Sequence, residues 1–304
     1  MKVFVTGASG WIGAATVDEL LAAGHEVVGL ARTPAAAAAL QEKGAAPLHG
    51  DLDDLDALRR GAAEAEGVVH LANKHDWADM AATNRAERTA VQTLAEVLEG
   101  TDRPFLLAAG VAGLVSGRPV LESDASPFTG PDAPRGGAEN LALEHVARGV
   151  RSISLRFAPT VHGTGDHGFV SMLVDAARRT GVSGYVGDGT NAWSAVHRSD
   201  AARLVRLGLE QAPAGSRLHV VAEEGVPTRA VAEAIGAALG LPVTSVAPED
   251  AVAHFGFLGA FFGQDLSASS THTQELLGWT PTGPTLLADI AAGAYTGAGV
   301  PTAA

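Results

Sequence analysis

The sequence contains no cysteine, which excludes disulfides, thiolate metal sites and cysteine nucleophiles. Tyrosine is nearly as scarce, with Tyr185 and Tyr295 as the only two. Basic residues are few: 21 Lys and Arg stand against 34 Asp and Glu, a net charge of −13. That balance disfavours nucleic acid or an anionic membrane as a partner, although one local cation can still hold a phosphate group. Every apolar stretch is broken by charge or glycine short of the roughly 18 residues that read as a membrane span. MKVFV begins the sequence as a strand with no charged leader, so the expectation is a soluble, cytoplasmic protein. The apolar share, 46% of 304 residues, is enough for one or two globular domains with a large core.

What is present alternates. Short β-branched runs at Val3–Thr6, Glu26–Leu30, Gly67–Leu71, Phe105–Ala108 and Ser152–Arg156 read as strands. Between them Ile12–Ala23, Thr33–Lys43, Leu55–Ala65, Met80–Glu99 and Ala138–Arg148 read as helices. Strand–helix alternation predicts an α/β fold: a Rossmann doubly wound parallel sheet, with a smaller C-terminal substrate-binding region. The expected boundaries are residues 1–160 and 187–222 for the nucleotide-binding domain, and 161–186 and 223–304 for the smaller region. Gly184–Asn191 reads as turn-rich, and Thr228–Leu239 as a helix.

The stretch VFVTGASGWIG places Thr6-Gly7-x-x-Gly10-x-x-Gly13 between a strand and a helix. Glycine permits the tight turn and lets backbone approach a pyrophosphate, while the helix N-terminus supplies N–H donors and a positive dipole end. Gly7, Ser9, Gly10, Trp11, Ile12 and Gly13 are therefore candidate cofactor contacts. The second strand ends in VVGLART, with Ala31 where an acid would bind a ribose 2′-hydroxyl and Arg32 just after it. A guanidinium grips a 2′-phosphate, so the expected cofactor is NADP(H).

TGASGWIG, GDLDD at Gly50–Asp54, VVHLA at Val68–Ala72, RFAPTVHG at Arg156–Gly163 and LGWTPTGP at Leu277–Pro284 run along nearly the whole chain. Together they resemble the short-chain dehydrogenase/reductase superfamily, most nearly its extended NAD-dependent epimerase/dehydratase type. The resemblance implies that Asp51 and Leu52 flank the adenine, that Leu71, Ala72 and Asn73 line the nicotinamide side, and that Pro159 joins them. It also implies a homodimer, in which the helices of Met80–Glu99 and Ala138–Arg148 pair across a two-fold axis, with Ala86, Ala90 and Ala142 permitting close approach. Asn84 resembles the family's helix asparagine.

The family's chemistry uses a tyrosine, a lysine four residues on, and a serine or threonine after the fifth strand. None is present. Four residues beyond Tyr185 and Tyr295 lie Gly189 and Gly299, and FLLAAGVAGL contains no hydroxyl. At the tyrosine–lysine spacing stand Arg135 and Glu139, in PRGGAENLALEH. On a helix this i, i+4 pair would share a face and form a salt bridge. Alternatively Glu139 is a general acid, or Arg135 polarises a substrate oxygen. The histidines are the other candidate donors: His162 foremost, because it follows the sixth strand, and His75 beside Asp76. His167, Phe169, Trp193 and His197 are placed in the substrate pocket. His162, Asp166 and His167 lack zinc-site spacing, so no metal is expected. The leading expectation is an NADPH-dependent reductase of a small, largely apolar carbonyl or imine-type substrate. The alternatives are a non-redox isomerase or cyclase that keeps NADP as a structural wall, and an NADP-sensing regulatory protein.

Overall fold

A computed structural model describes residues 1–74, 76 and 79–296. The first half runs β1 (Lys2–Thr6), α1 (Trp11–Ala22), β2 (Glu26–Ala31), α2 (Pro34–Lys43), β3 (Ala46–His49), α3 (Leu55–Glu64), β4 (Gly67–His70), α4 (Met80–Leu98), β5 (Pro104–Gly110), α5 (Ala138–Glu144) and β6 (Arg151–Phe157). The second half adds β7 (Thr160–His162), α6 (Phe169–Thr180), β8 (Ser183–Val186), β9 (Ala192–His197), α7 (Arg198–Gln211), β10 (Arg217–Val220), β11 (Glu223–Pro227), α8 (Thr228–Leu239), β12 (Val243–Val246), α9 (Ala251–Phe255), α10 (Thr271–Leu277) and α11 (Leu286–Ala291).

Seven strands pair in one parallel sheet in the order β10-β6-β5-β4-β1-β2-β3. This is the expected doubly wound α/β architecture. The chain reverses its winding beside β1, whose neighbours are β2 and β4. At such a switch point two loops diverge and leave a crevice at the carboxyl ends of the strands. β1 is buried on both faces from Val3 onward, as a central parallel strand must be. One apolar layer joins Val17, Leu20, Leu204 and Trp279, and the opposite layer joins Phe4, Leu58, Leu94 and Leu98. Short polar side chains start the helices: Thr33 Oγ1 accepts from Ala36 N–H, Asp54 from Ala57 and Asp79 from Ala82.

A second core, with Trp193, Phe255, Phe262, Leu286 and Tyr295, lies among the C-terminal elements. Its strands escaped the sequence pattern. β8 pairs with β12 in parallel across residues expected to be turn-rich, and β7, β9 and β11 form a three-stranded sheet. Two further expectations change. The helix expected through Arg148 leaves α-geometry after Glu144 and finishes as a tighter 3₁₀ turn, His145–Arg148. Ala90 and Ala142 are fully buried where α4 packs on α5 within the chain, so they cannot form the face of a dimer; Ala86 is half-buried. Among the described residues no helix is long and apolar enough to cross a membrane.

Candidate functional site

The turn after β1 is as tight as its glycines require. Gly7 adopts φ +67°, and a Cβ there would lie 2.8 Å from the Ala72 backbone nitrogen. A Cβ on Gly13 would lie 2.0 Å from the Gly7 carbonyl oxygen. Thr6 Oγ1 accepts from Ala72 N–H at 3.3 Å and meets His70 Nδ1 at 2.8 Å, which ties the ends of β1 and β4 together. No side chain caps α1 behind Gly10. Its first-turn N–H groups therefore open on a cleft of about 1230 Å³.

That cleft brings the predicted cofactor contacts together. Gly7, Ser9, Gly10, Trp11, Ile12 and Gly13 form one wall. Arg32, Asp51 and Leu52 lie at the ends of β2 and β3, and Leu71, Ala72, Asn73 and Pro159 line the floor. Ala31 is buried, while Arg32 is exposed and has no protein partner among the described residues. Trp11 is locked: its indole N–H donates to the Val161 carbonyl at 2.7 Å, and the Arg198 guanidinium lies 4.2 Å over its ring.

Arg135 and Glu139 both line the cleft, but they do not form the i, i+4 salt bridge. Arg135, Gly136 and Gly137 all take positive φ, 55°, 60° and 63°, so α5 begins only at Ala138 and Arg135 is off its face. Each charge has another partner. Arg135 Nη2 donates to Glu87 Oε1 at 2.6 Å, and its backbone N–H donates to Asn84 Oδ1 at 2.9 Å. Glu139 Oε1 accepts from Arg156 Nε at 2.8 Å. Arg156 is fully buried in β6, so Glu139 is its counter-charge. Burial alone would raise the Glu87 carboxyl; the Arg135 charge, together with hydrogen bonds from Arg135 and Asn73, holds it below the usual range.

The first-choice histidine lies outside the cleft. His162 is fully buried and does not line the cleft; its Nδ1 meets Asp289 Oδ2 at 2.6 Å. Burial lowers its imidazole, partly offset by Asp289. His197 packs edge-on against His162 with its Nδ1 on Ser199 Oγ at 2.7 Å, and it too lies outside the cleft. Trp193 is buried behind Phe261, stacked nearly parallel with ring centroids 5.8 Å apart. Trp193 turns into the second core, while His162 is held by Asp289 and His197 by Ser199. His167 and Phe169 do line the cleft. His75 lies outside the described residues. Tyr295 is buried away from the cleft with its hydroxyl donating to Asp166; burial pushes the phenol upward, and Asp166 adds to it. Asp166 lines the cleft, and burial raises its carboxyl.

Glu87 was not singled out in the sequence, yet a signal existed. Thr83, Ala90, Val91, Leu94 and Leu98 are the buried face of α4, and Glu87 occupies a core position of that stripe. A charge there needs a partner. No group of three or more metal-ligating side chains occurs among the described residues.

A family model described as the NAD dependent epimerase/dehydratase family matches residues 3–221. A protein of Schizosaccharomyces pombe, itself uncharacterized, is 46% identical over 97% of this chain and 100% of its own length. The 4-hydroxy-2-methyl-3-oxo-4-farnesyl-3,4-dihydroquinoline-1-oxide ketoreductase of Stigmatella aurantiaca is 30% identical over 71% of this chain and 66% of its own. Among solved structures, the dTDP-glucose 4,6-dehydratase DesIV of Streptomyces venezuelae, with NAD and TYD bound, matches with a TM-score of 0.77 at 22% identity, over 97% of this chain and 96% of that one. The family match, the doubly wound sheet and the glycine cleft agree: the chain belongs to the NAD-dependent epimerase/dehydratase family, as an extended short-chain dehydrogenase/reductase without the tyrosine–lysine pair.

Proposed function

We propose that the protein is an NADPH-dependent reductase of a small, largely apolar carbonyl compound. The observation that carries this reading is one cleft that holds the glycine turn, an Arg32 without a partner among the described residues, and Arg135 with Glu139 at the spacing of the family's tyrosine and lysine. The residues fit a dinucleotide: any Cβ on Gly7 or Gly13 would fill the space backbone needs, and the open α1 N-terminus suits a pyrophosphate. Arg32 suits a 2′-phosphate. The ketoreductase named above supports a reductase by likeness.

When bound, the nicotinamide supplies hydride. The chain's own groups orient the substrate and manage charge. Arg135 holds Glu87 through one nitrogen, which leaves N–H groups to donate to a substrate oxygen and stabilise charge there. Glu139 Oε2 has no partner among the described residues and can hold a water that passes a proton. Ala109, Val111, Leu114, Phe128, Met172 and Phe261 give the substrate end an apolar wall. Among the described residues no arginine or lysine of the C-terminal region lines it, which disfavours a nucleotide diphosphate.

Titrating NADPH and NADH, then incubating with a panel of apolar ketones while following nicotinamide absorbance, tests the reading. NADPH should bind more tightly and be consumed. Substrate turnover at constant absorbance would instead favour an isomerase or cyclase.

A further inference from the structure

Glu87 and Arg135 form more than a surface ion pair. Glu87 is 1% exposed, and both its oxygens are occupied: Oε1 by Arg135 at 2.6 Å, Oε2 by the Asn73 side-chain amide at 3.1 Å. His70 Nε2 stands 3.9 Å from Oε1. Glu87 therefore cannot itself reach a ligand. Arg135 is different. It lines the cleft, its side chain is 35% exposed, and among the described residues only one of its guanidinium nitrogens is engaged.

The backbone reinforces this aim. Arg135 is one of only two non-glycine residues with positive φ among those described, a conformation rarely adopted without a reason. Asn84 Oδ1 accepts its N–H, Arg88 Nη1 donates to the Gly136 carbonyl at 2.8 Å, and a Cβ on Gly136 would lie 2.4 Å from the Asn84 carbonyl oxygen. Glycine at 136 lets the turn press onto α4, so the guanidinium is delivered to Glu87 from one fixed direction. A simple salt bridge needs none of this, and Arg135 could have paired with Glu139 on a continuous helix.

We propose that Glu87 is a positioning residue: it fixes Arg135 so that the open edge of the guanidinium forms a binding site in the cleft for a planar oxyanion, a carboxylate or enolate on an otherwise apolar ligand. A guanidinium presents N–H groups as a fork that matches two oxygens of one planar group. Ala109, Val111, Leu114 and Phe128 of the same cleft offer apolar contact, and Glu139, the acid nearest in sequence, is already paired with Arg156. This deepens the reductase reading, and rests on it only for the choice of NADP-loaded protein below.

The test uses benzoate and its neutral amide, benzamide, titrated calorimetrically into cofactor-free and NADP-saturated protein. Benzoate should bind about tenfold or more tightly than benzamide, as expected for a charged hydrogen bond. Arg135→Gln should erase the difference. Arg135→Lys, which keeps charge but loses the fork, should weaken benzoate by about tenfold. Glu87→Gln should remove most of the preference and Glu87→Asp restore part of it, with NADP affinity within about twofold of wild type. Equal binding of the two probes to the wild type, no benzoate binding at all, or unchanged benzoate affinity in folded Glu87→Gln would overturn the proposal. If Glu87→Gln does not fold, Arg135→Lys decides: unchanged benzoate affinity there overturns it equally. Loss of NADP binding with benzoate selectivity retained would remove the reductase reading and leave this site standing.

Discussion

The two walls of the cleft are built on different principles. The glycine wall is largely local: eleven residues, Val3–Gly13, carry a strand, a turn and a helix start, and the close approaches at Gly7 and Gly13 lie within them or on the adjacent β4 end, with Trp11 tied further off to Val161 and Arg198. The opposite wall is assembled from distance. Arg135 reaches Glu87 across 48 residues, and Glu139 reaches Arg156 across 17. The first wall depends on what backbone can do; the second depends on charges that must be matched once buried. Damage to the glycine wall should therefore appear in cofactor affinity, and damage to the charged wall in stability and turnover.

The largest expected effect is at Glu139. Glu139→Gln leaves Arg156 buried without its counter-charge, and unfolding free energy by urea titration should drop by about 3–5 kcal/mol. A change under about 1 kcal/mol would mean that the charge is compensated elsewhere. Next is acid. Burial lowers His219 to about 4, and it lowers His70 and His162 as well. The native state then holds fewer protons than the unfolded chain below about pH 6.5, so stability is full above that pH and is lost as pH falls. His219 alone should account for about 3 kcal/mol between pH 6.5 and 4. His219→Gln should flatten that part of the curve.

On the glycine side, Arg32→Ala should cost about 1.5–3 kcal/mol of NADP affinity and leave NAD nearly unchanged. Equal loss for both cofactors would break the assignment of Arg32 to a 2′-phosphate. The smallest effect is expected at His162. Its imidazole is sealed against Asp289, so His162→Asn should leave turnover within a few-fold and lower stability by about 1–2 kcal/mol. A loss of activity of about 10²–10⁴, with NADP binding intact, would return the proton donor to this histidine.

The glycine wall was legible because strand, turn and helix start each have a local signature. Arg32 was legible because its place at the end of β2 follows from the same unit. The charged wall was half legible. The odd residue types at 135 and 139 were visible, but their i, i+4 spacing implied a shared helix face. Positive φ at residues 135–137 removes Arg135 from that face, and the glycines at 136 and 137 were the overlooked sign. His162 follows β6, yet sequence does not say which way a side chain turns, and Asp289, 127 residues on, takes its Nδ1. β8 and β12 leave no local pattern, because they pair with each other across 60 residues.

In the proposed reductase, cofactor binding and chemistry occupy separate walls, and Arg135 acts on the substrate in place of a phenol. Arg135→Gln tests it most directly, with NADPH affinity and ketone turnover measured on the same sample. NADPH affinity should stay within about twofold of wild type and turnover should fall by about 10²-fold, as for a lost oxyanion donor. Undiminished turnover, or a parallel loss of NADPH binding, would contradict it.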